Sequence, residues 1–516
     1  MGPARRRVGW AMSATGGQGR ADAAVLGVLA VLASVLLLAN LGNQYLWQDE
    51  AQTALLARTI LAHGVPLGFD GTNHFSQELG AEYGPDGLWR WHTWLSFYAV
   101  AASFALFGQT TLAARLPFAL CGVATVLLTW AFARELWRDR MAAGIASGLL
   151  ALSVPFLILA RQSRWYALAA LLELAGLFAY LRIAPGRRGP AWALLAAALL
   201  LFHTHYLYCA LLLGTLSLHA ALLEREKLRP TLLAAAATAL LCLPWALWLA
   251  GFPSGPSNAR RLHAASDSLR FARIYLHFLV GIFLASGLWL TALLPLALRR
   301  VWRGEAVFAL SRRTGSGVAL VALHTSLGIA LLAGLSPDAY VRYLMPLVPP
   351  LFALGGLLVG SLVWVWPALG AATAAASVLA TPLDDFVYEI THDYDGPEEG
   401  IVEFLRQHAR PGDKVAMVNG DLPVKFYTGL RVVGGLSGEG LAEARDADWI
   451  ILRSAIVAPV SRRVRAALRQ VLAEGHYARH VIDYPDTIWE NREDLRLHRF
   501  RTDTHAPRVE IWERQR

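Results

Sequence analysis

The chain has 516 residues, 55% of them hydrophobic and 16% charged, with a mean hydropathy of +0.41. A soluble domain carries about 25% charged residues, so this chain lacks the side chains to wet its surface, and its repeated apolar runs reach the ~20 residues that span a bilayer as helix. A soluble enzyme, a disordered chain and a disulfide scaffold are excluded, and the fold class is an all-α polytopic membrane protein. The formal charge of +9 comes from 47 Lys and Arg against 38 Asp and Glu. Membrane proteins place such a surplus in cytoplasmic loops, and it gives no reason to invoke nucleic acid. Cys121, Cys209 and Cys242 stand singly in apolar runs, with neither a metal-type spacing nor a disulfide framework.

A basic segment, residues 1–22 with Arg5, Arg6, Arg7 and Arg20, precedes the apolar run Ala23–Gly42. That run is too long for a signal h-region and has no A-x-A cleavage site, so it reads as a retained first span. Ten more runs follow at about 116–133, 141–160, 165–181, 190–206, 207–223, 231–250, 275–298, 315–335, 344–360 and 361–381. Together they make about eleven spans in a membrane domain of residues 23–383, the last two divided at Gly360-Ser361. With the N-terminus inside, the inner segments hold 18 Arg and Lys. The short outer loops hold seven, Arg161, Arg164, Arg260, Arg261, Arg270, Arg273 and Arg342. His92–Phe107 is also apolar, but it is short, and counting it as a span would export the Arg-rich loops. It is read as an interfacial or re-entrant helix of the first external loop, 43–115, with Trp89, Trp91 and Trp94 at the headgroup layer.

Beyond Thr381 the composition changes. Residues 384–516 mix charges and Gly turns with short β-rich runs at Lys414–Val418, Trp449–Leu452 and Arg479–Ile482, and with amphipathic helices at Gly400–Ala409 and Val460–Glu474. This predicts a C-terminal α/β domain, which eleven spans from an inside N-terminus place outside the cytoplasm. It has no Gly-rich phosphate loop and no zinc spacing.

The first external loop opens with Leu46-Trp47-Gln48-Asp49-Glu50-Ala51, two adjacent carboxylates just past the end of a span. Partial desolvation there raises a carboxylate pKa towards neutrality, which suits a general base. The same two residues also suit the first turn of a helix, where carboxylates meet the positive end of the dipole.

WQDEA followed by the ALLARTIL helix, then Gly64-Val65-Pro66, Phe107-Gly108 and Ala114-Arg115-Leu116-Pro117, resembles the glycosyltransferase-C superfamily. The closer likeness is to its bacterial protein-mannosyltransferase-like branch, which includes the aminoarabinose transferases and Rgt-type galacturonosyltransferases. The likeness runs from about residue 40 to 350. It implies a bacterial inner-membrane enzyme that moves a sugar from a polyprenyl-phosphate donor to an acceptor outside the cytoplasm, whether lipid A, glycan or protein. It implies Asp49 as the general base, with Glu50 orienting the loop or holding a divalent ion. Asp338-Ala339-Tyr340-Val341-Arg342-Tyr343-Leu344-Met345-Pro346 resembles the family's R-Y-L-x-P element and makes Arg342 and Tyr343 candidates for the donor phosphate, since Arg offers a planar fork for it.

Aminoarabinose-transferase relatives carry a second acid in the loop where this chain has Arg161-Gln162-Ser163-Arg164-Trp165-Tyr166. The departure argues against a two-carboxylate mechanism and turns Arg164 and Tyr166 into candidate donor contacts. In His203-Thr204-His205-Tyr206 the two imidazoles are about 200° apart on a helix, so one helix cannot aim both at one metal, and His205 and Tyr206 are the candidate contacts. Asp70, Asn73, His74, Glu78, Glu82 and Asp86 have the look of a mobile acceptor loop. Glu173, buried in the fourth span, is read as a helix–helix hydrogen bond. The alternative function is a transporter or flippase for a lipid-linked or anionic substrate. No inverted repeat of that class is visible, and a long external loop with a carboxylate pair suits an enzyme better.

Overall fold

A computed structural model describes residues 15–250, 265–303, 310–336, 338–454, 461–487 and 505–515. Arg5, Arg6, Arg7, Arg260 and Arg261 lie outside the described residues. In chain order the membrane body contains α1 (Thr15–Leu38), α2 (Gln48–His63), α3 (Leu95–Phe107), α4 (Thr111–Trp137), α5 (Arg140–Ala151), α6 (Val154–Ala160), α7 (Tyr166–Leu181) and α8 (Gly189–Thr204). It continues with α9 (Tyr206–Leu223), α10 (Arg225–Ala250), α11 (Ala265–Phe278), α12 (Leu293–Trp302), α13 (Arg312–Leu335), α14 (Val348–Val365), α15 (Pro367–Leu379) and α16 (Leu383–Thr391).

The eleven expected runs resolve into three kinds of element. Among the described residues six helices are long and apolar enough to cross a membrane, and two helix pairs are bent, Arg140–Ala151 with Val154–Ala160 by 62° and Ser266–Phe283 with Leu288–Trp302 by 82°. The other three runs are the shorter α7, α8 and α15, while α3, the segment read as interfacial, is the fourth short apolar helix. Two boundaries move. The expected division at Gly360-Ser361 lies instead at Trp366, whose φ of −138° and ψ of 84° leave the helix because the following Pro367 disfavours the α region before it. The fifth and sixth runs divide at His205, a single extended residue between α8 and α9.

Close helix packing relies on small residues, as membrane interiors require. A Cβ on Gly356 of α14 would stand 2.2 Å from the Ala142 carbonyl oxygen of α5. At the Asp49 end of the bundle, Trp94 packs edge-on against Trp245 and Trp248 with ring centres 4.7 and 5.7 Å away, and the Arg90 guanidinium lies 4.5 Å over Trp248. Such a belt suits the headgroup layer. In the bundle core Glu173 of α7 and His324 of α13 are both fully buried with Oε1 and Nε2 3.3 Å apart, but neither side chain closes a hydrogen bond, so the helix–helix hydrogen bond expected of Glu173 is not formed among the described residues.

The C-terminal domain follows with α17 (Pro397–His408), β1 (Lys414–Met417), α18 (Asp421–Thr428), β2 (Arg431–Gly434), β3 (Trp449–Ile451), α19 (Ser461–Glu474), β4 (Tyr477–Pro485) and β5 (Arg508–Arg514). Strand order is β2-β1-β3-β5-β4, with β2, β1 and β3 parallel and the last two pairings antiparallel. Alternation fills both faces: Val415 and Met417 pack with Ile401 and Leu405 of α17, while Ala416 and Val418 pack with Val464 and Leu468 of α19. Sequence reading found three strands and two helices of this domain but missed β2, β5 and α18. Before it, α16 sends Phe386 and Ile390 into the bundle's core.

Candidate active site

Between α1 and α2 the chain turns at the end of the bundle, and two arginines gather its carbonyls. Arg161 donates to Leu36 O, Leu37 O and Ala39 O, capping α1. Arg115 donates to Leu41 O, Gln44 O and Tyr45 O. The same Arg115 grips Glu50 with Nε at 2.9 Å and Nη2 at 2.7 Å, and the Ser163 backbone N–H adds a third bond of 2.6 Å. Glu50 is fully buried, so this planar pair is closed to solvent.

One residue earlier on α2, Asp49 faces another way. Its Oδ2 stands 3.7 Å from Arg164 and 3.9 Å from Arg342, within ion-pair range but beyond direct hydrogen-bond distance. Its Oδ1 accepts from Gln77 Nε2 at 3.2 Å, and the side chain keeps 16% of its exposure. Arg164 is held from behind, donating to the Asp49 carbonyl at 3.1 Å and to Thr53 Oγ1 at 3.3 Å. Arg342 lies 3.9 Å over the Tyr340 ring and 5.8 Å from that of Tyr343.

Aromatic rings wall the cluster. Trp165 stacks on Tyr343 at 6.1 Å and tilts against His205 at 4.4 Å and Tyr208 at 5.5 Å. Tyr208 donates to the Tyr343 carbonyl. Tyr166 is buried beside Trp165, with ring centres 4.7 Å apart. The structure thus brings Asp49, Arg164, Arg342, Tyr166, Tyr343 and His205 to one place. Tyr206 is 42% exposed with its ring against His205.

The residues expected to form a mobile acceptor loop are tied together by hydrogen bonds within that loop. Asp70 Oδ1 accepts from the Thr72 and Asn73 N–H groups, an Asx turn. The His74 ring stacks on Phe69, and its Nδ1 bonds Tyr83 OH at 2.8 Å. Glu82 is 1% exposed and accepts from Ser76 Oγ and from the Gln77 and Glu78 N–H groups at 2.5, 2.5 and 3.1 Å. Burial pushes its carboxyl up to about 7. Glu78 follows, exposed overall, with its carboxyl raised chiefly by partial desolvation and secondly by the charge of Asp338. Glu82 alone of these acids turns inward, where it satisfies backbone N–H groups of a loop that has no helix or named strand of its own.

Two residues were invisible as site members in the sequence. Gln77 reaches Asp49 from a loop whose backbone Glu82 gathers, accepting from the Gln77 N–H itself. His92 is held well below its usual range by burial, with Arg164 and His205 near enough to add to the effect. A lone His ahead of an apolar helix gives no signal of that placement.

A divalent ion on Glu50 does not fit, because Arg115 and Ser163 occupy both of its oxygens. A cation on Asp49 would face two guanidiniums within 4 Å. Among the described residues, no group of three or more His, Cys, Asp or Glu is disposed to hold a metal.

No protein-family model matches the chain. It is 28% identical over 351 residues to the undecaprenyl phosphate-alpha-4-amino-4-deoxy-L-arabinose arabinosyl transferase of Pseudomonas aeruginosa strain UCBPP-PA14, covering 64% of this chain and 58% of that relative. To the corresponding transferase 1 of Pseudomonas fluorescens it is 29% identical over 344 residues, 62% of this chain and 54% of the relative. The chain thus aligns with less than two thirds of these relatives' length. In three dimensions it is similar to ArnT from Cupriavidus metallidurans bound to undecaprenyl phosphate, with a TM-score of 0.60, 15% identity, and 97% and 98% of the two chains covered. It is also similar to the archaeal oligosaccharyltransferase AglB from Archaeoglobus fulgidus, TM-score 0.50 at 12% identity over 90% and 73% of the chains. This multi-pass membrane protein has the fold of the glycosyltransferase-C superfamily.

Proposed function

We propose that the protein transfers a sugar from a polyprenyl-phosphate donor to an acceptor hydroxyl or amine, with Asp49 as general base. The observation that carries this reading is a carboxylate and two guanidiniums meeting at the membrane end of an apolar bundle without closing a hydrogen-bonded pair. A polyprenyl chain cannot leave the bilayer, so its phosphate must be met at that level. The acceptor's heteroatom attacks the anomeric carbon, the bond from that carbon to the phosphate oxygen breaks, and Asp49 takes the acceptor's proton. Arg164 and Arg342 receive the charge that builds on the departing phosphate, while Trp165, Tyr166 and Tyr343 wall the sugar. Glu50 serves as a positioning residue.

The relatives' named donor supports a polyprenyl phosphate, as does the undecaprenyl phosphate bound by the structural neighbour. The Arg and Lys distribution favours a cytoplasmic N-terminus, which puts Asp49 and the C-terminal domain on the outer face of a bacterial inner membrane. Lipid A, a glycan or a protein would be the acceptor there.

The test is turnover in liposomes with candidate polyprenyl-phosphate sugars and extracted envelope acceptors, following free polyprenyl phosphate by mass spectrometry. Release from one donor is expected. Intact donors throughout, together with protein-dependent flux of the lipid across the bilayer, would replace the transferase reading with the transporter.

A further inference from the structure

The C-terminal domain touches α2 at the residue before Asp49. Gln48 is 5% exposed, and its Nε2 donates at 2.8 Å to Asp421 Oδ1, at the head of α18. The other Asp421 oxygen takes Lys425 Nζ at 2.7 Å, and the same ammonium donates to the His74 carbonyl at 2.9 Å. All three side chains are buried. A carboxylate, an ammonium and an amide taken out of water hold their positions because each loses its partner if one moves.

A second set of contacts holds the loop that carries Gln77. Asn73 Nδ2 donates to the Leu430 carbonyl, and its Oδ1 accepts from the Val432 N–H, both at 2.8 Å. Asn73 thereby closes the open edge of β2 where a further strand would pair. Ser437 Oγ accepts from the Leu79 N–H at 3.2 Å. Both routes converge on Asp49, one through its neighbour Gln48 and the other through the side chain that bonds its Oδ1.

The place of contact is informative in itself. Asp421 follows the carboxyl end of β1, and Ser437 follows that of β2. Open α/β sheets bind their ligands outside the carboxyl ends of parallel strands. Here that edge receives the start of α2 and the tip of its loop.

We propose that the C-terminal domain is a positioning device for the transfer reaction, with Asp421 acting through Gln48, and Asn73 and Ser437 acting through the Gln77 loop, to set where Asp49 points. The role rests on the reading of Asp49 as base. The ligand crevice of the domain has become a clamp, so the domain and the membrane body form one active site.

The test uses full-length protein as wild type, Gln48→Met, Asp49→Asn and the double variant. Gln48→Met cuts the link and leaves the Asp421–Lys425 pair intact. It is expected to lower kcat about 10- to 100-fold, as a misplacement of an ångström or less does, with donor KM within about twofold. In the Asp49→Asn background it should cost nothing further, because two groups acting as one unit are not additive. An equal loss in both backgrounds, or no loss in the first, overturns the proposal.

Amide hydrogen exchange gives a readout that does not need turnover. Exchange should rise over 49–55 in Gln48→Met and over 74–80 in Asn73→Ala, with the transmembrane helices unchanged. Unaltered exchange in both variants overturns the clamp. A wild type that releases no polyprenyl phosphate overturns the reaction reading, and exchange still decides whether the domain holds α2.

Discussion

At Glu50 a bidentate arginine and a backbone N–H saturate both oxygens of a fully buried carboxylate. One residue back on the same helix, two guanidiniums stand 3.7 and 3.9 Å from Asp49 and neither bonds its carboxylate. Successive helix positions are about 100° apart, so one side chain meets Arg115 and the other the pair Arg164 and Arg342. The closed pair costs desolvation that its geometry must offset, and nothing is left over to act on a substrate. In the open cluster two guanidiniums stand beside a part-exposed carboxylate, the groups that a phosphate and a proton would meet in the proposed reaction. On the proposed function the Asp-Glu dipeptide carries two jobs, Glu50 holding and Asp49 reacting.

The largest effect should come from breaking the open member. Asp49→Asn is expected to lower polyprenyl-phosphate release by ~10² to 10⁴, the range for loss of a general base, while the thermal unfolding midpoint stays close to that of wild type. Release that persists undiminished would move the base elsewhere and erase the contrast.

Breaking the closed member should do the reverse. Arg115→Ala leaves the Glu50 carboxylate buried without its partner and frees the Leu41, Gln44 and Tyr45 carbonyls, a loss of about 3–5 kcal/mol of stability. Reduced folded yield and a lowered unfolding midpoint would record it. If Arg115→Ala instead folds normally and loses only turnover, Glu50 belongs with the reacting groups.

The contrast sharpens at Arg164 and Arg342. Lysine keeps the charge but not the fork, so either Arg→Lys change should raise donor KM about 10-fold, the ~1.4 kcal/mol of one poorly replaced charged hydrogen bond. An equal loss of affinity for a free sugar lacking the phosphate, read as its inhibition constant, would show that the arginines read the sugar.

How far the sequence could foresee this follows from what each signal depends on. Apolar runs longer than fifteen residues report helices directly, and all eleven correspond to helices or bent pairs, although among the described residues only six, or eight with the bent pairs, are long and apolar enough to cross a membrane. The breaks at His205 and Trp366 were misplaced because a run of apolar residues conceals a local turn from hydropathy. Asp49 was singled out by its place at the end of a span, and Arg342 through the R-Y-L-x-P likeness. Gln77 and His92 were not, since both reach the site through a folded loop with no periodicity of its own. The same loop hid a further role: its acids read together as an acceptor loop, and nothing in their spacing marks Glu82 as the one that turns inward to hold the Ser76, Gln77 and Glu78 donors. α18 escaped notice as an eight-residue helix containing Pro423, although it carries the clamp on Gln48.

Glu82 offers the smallest and most selective test, because it joins the two regions. Its carboxyl, pushed up to about 7 by burial, binds its proton more tightly in the folded protein than in the unfolded chain, where Glu titrates near ~4.3. Between those values the native state holds more protons, so stability falls as pH rises from about 4.5 to 7 and levels off above. From pH 7.5 to 5.5 the wild type should therefore gain about 1–2 kcal/mol that Glu82→Gln does not. The difference between the two unfolding curves isolates this group from other titrations, with the adjacent Glu78 adding to the rise through its own charge. A gain of the opposite sign would mean that the three donors outweigh burial, making the loop tightest when Glu82 is charged. Identical curves would mean that the loop opens to water before the rest of the protein unfolds. Gln77 would then reach Asp49 only part of the time, and the open cluster would lose the one hydrogen bond that orients its carboxylate.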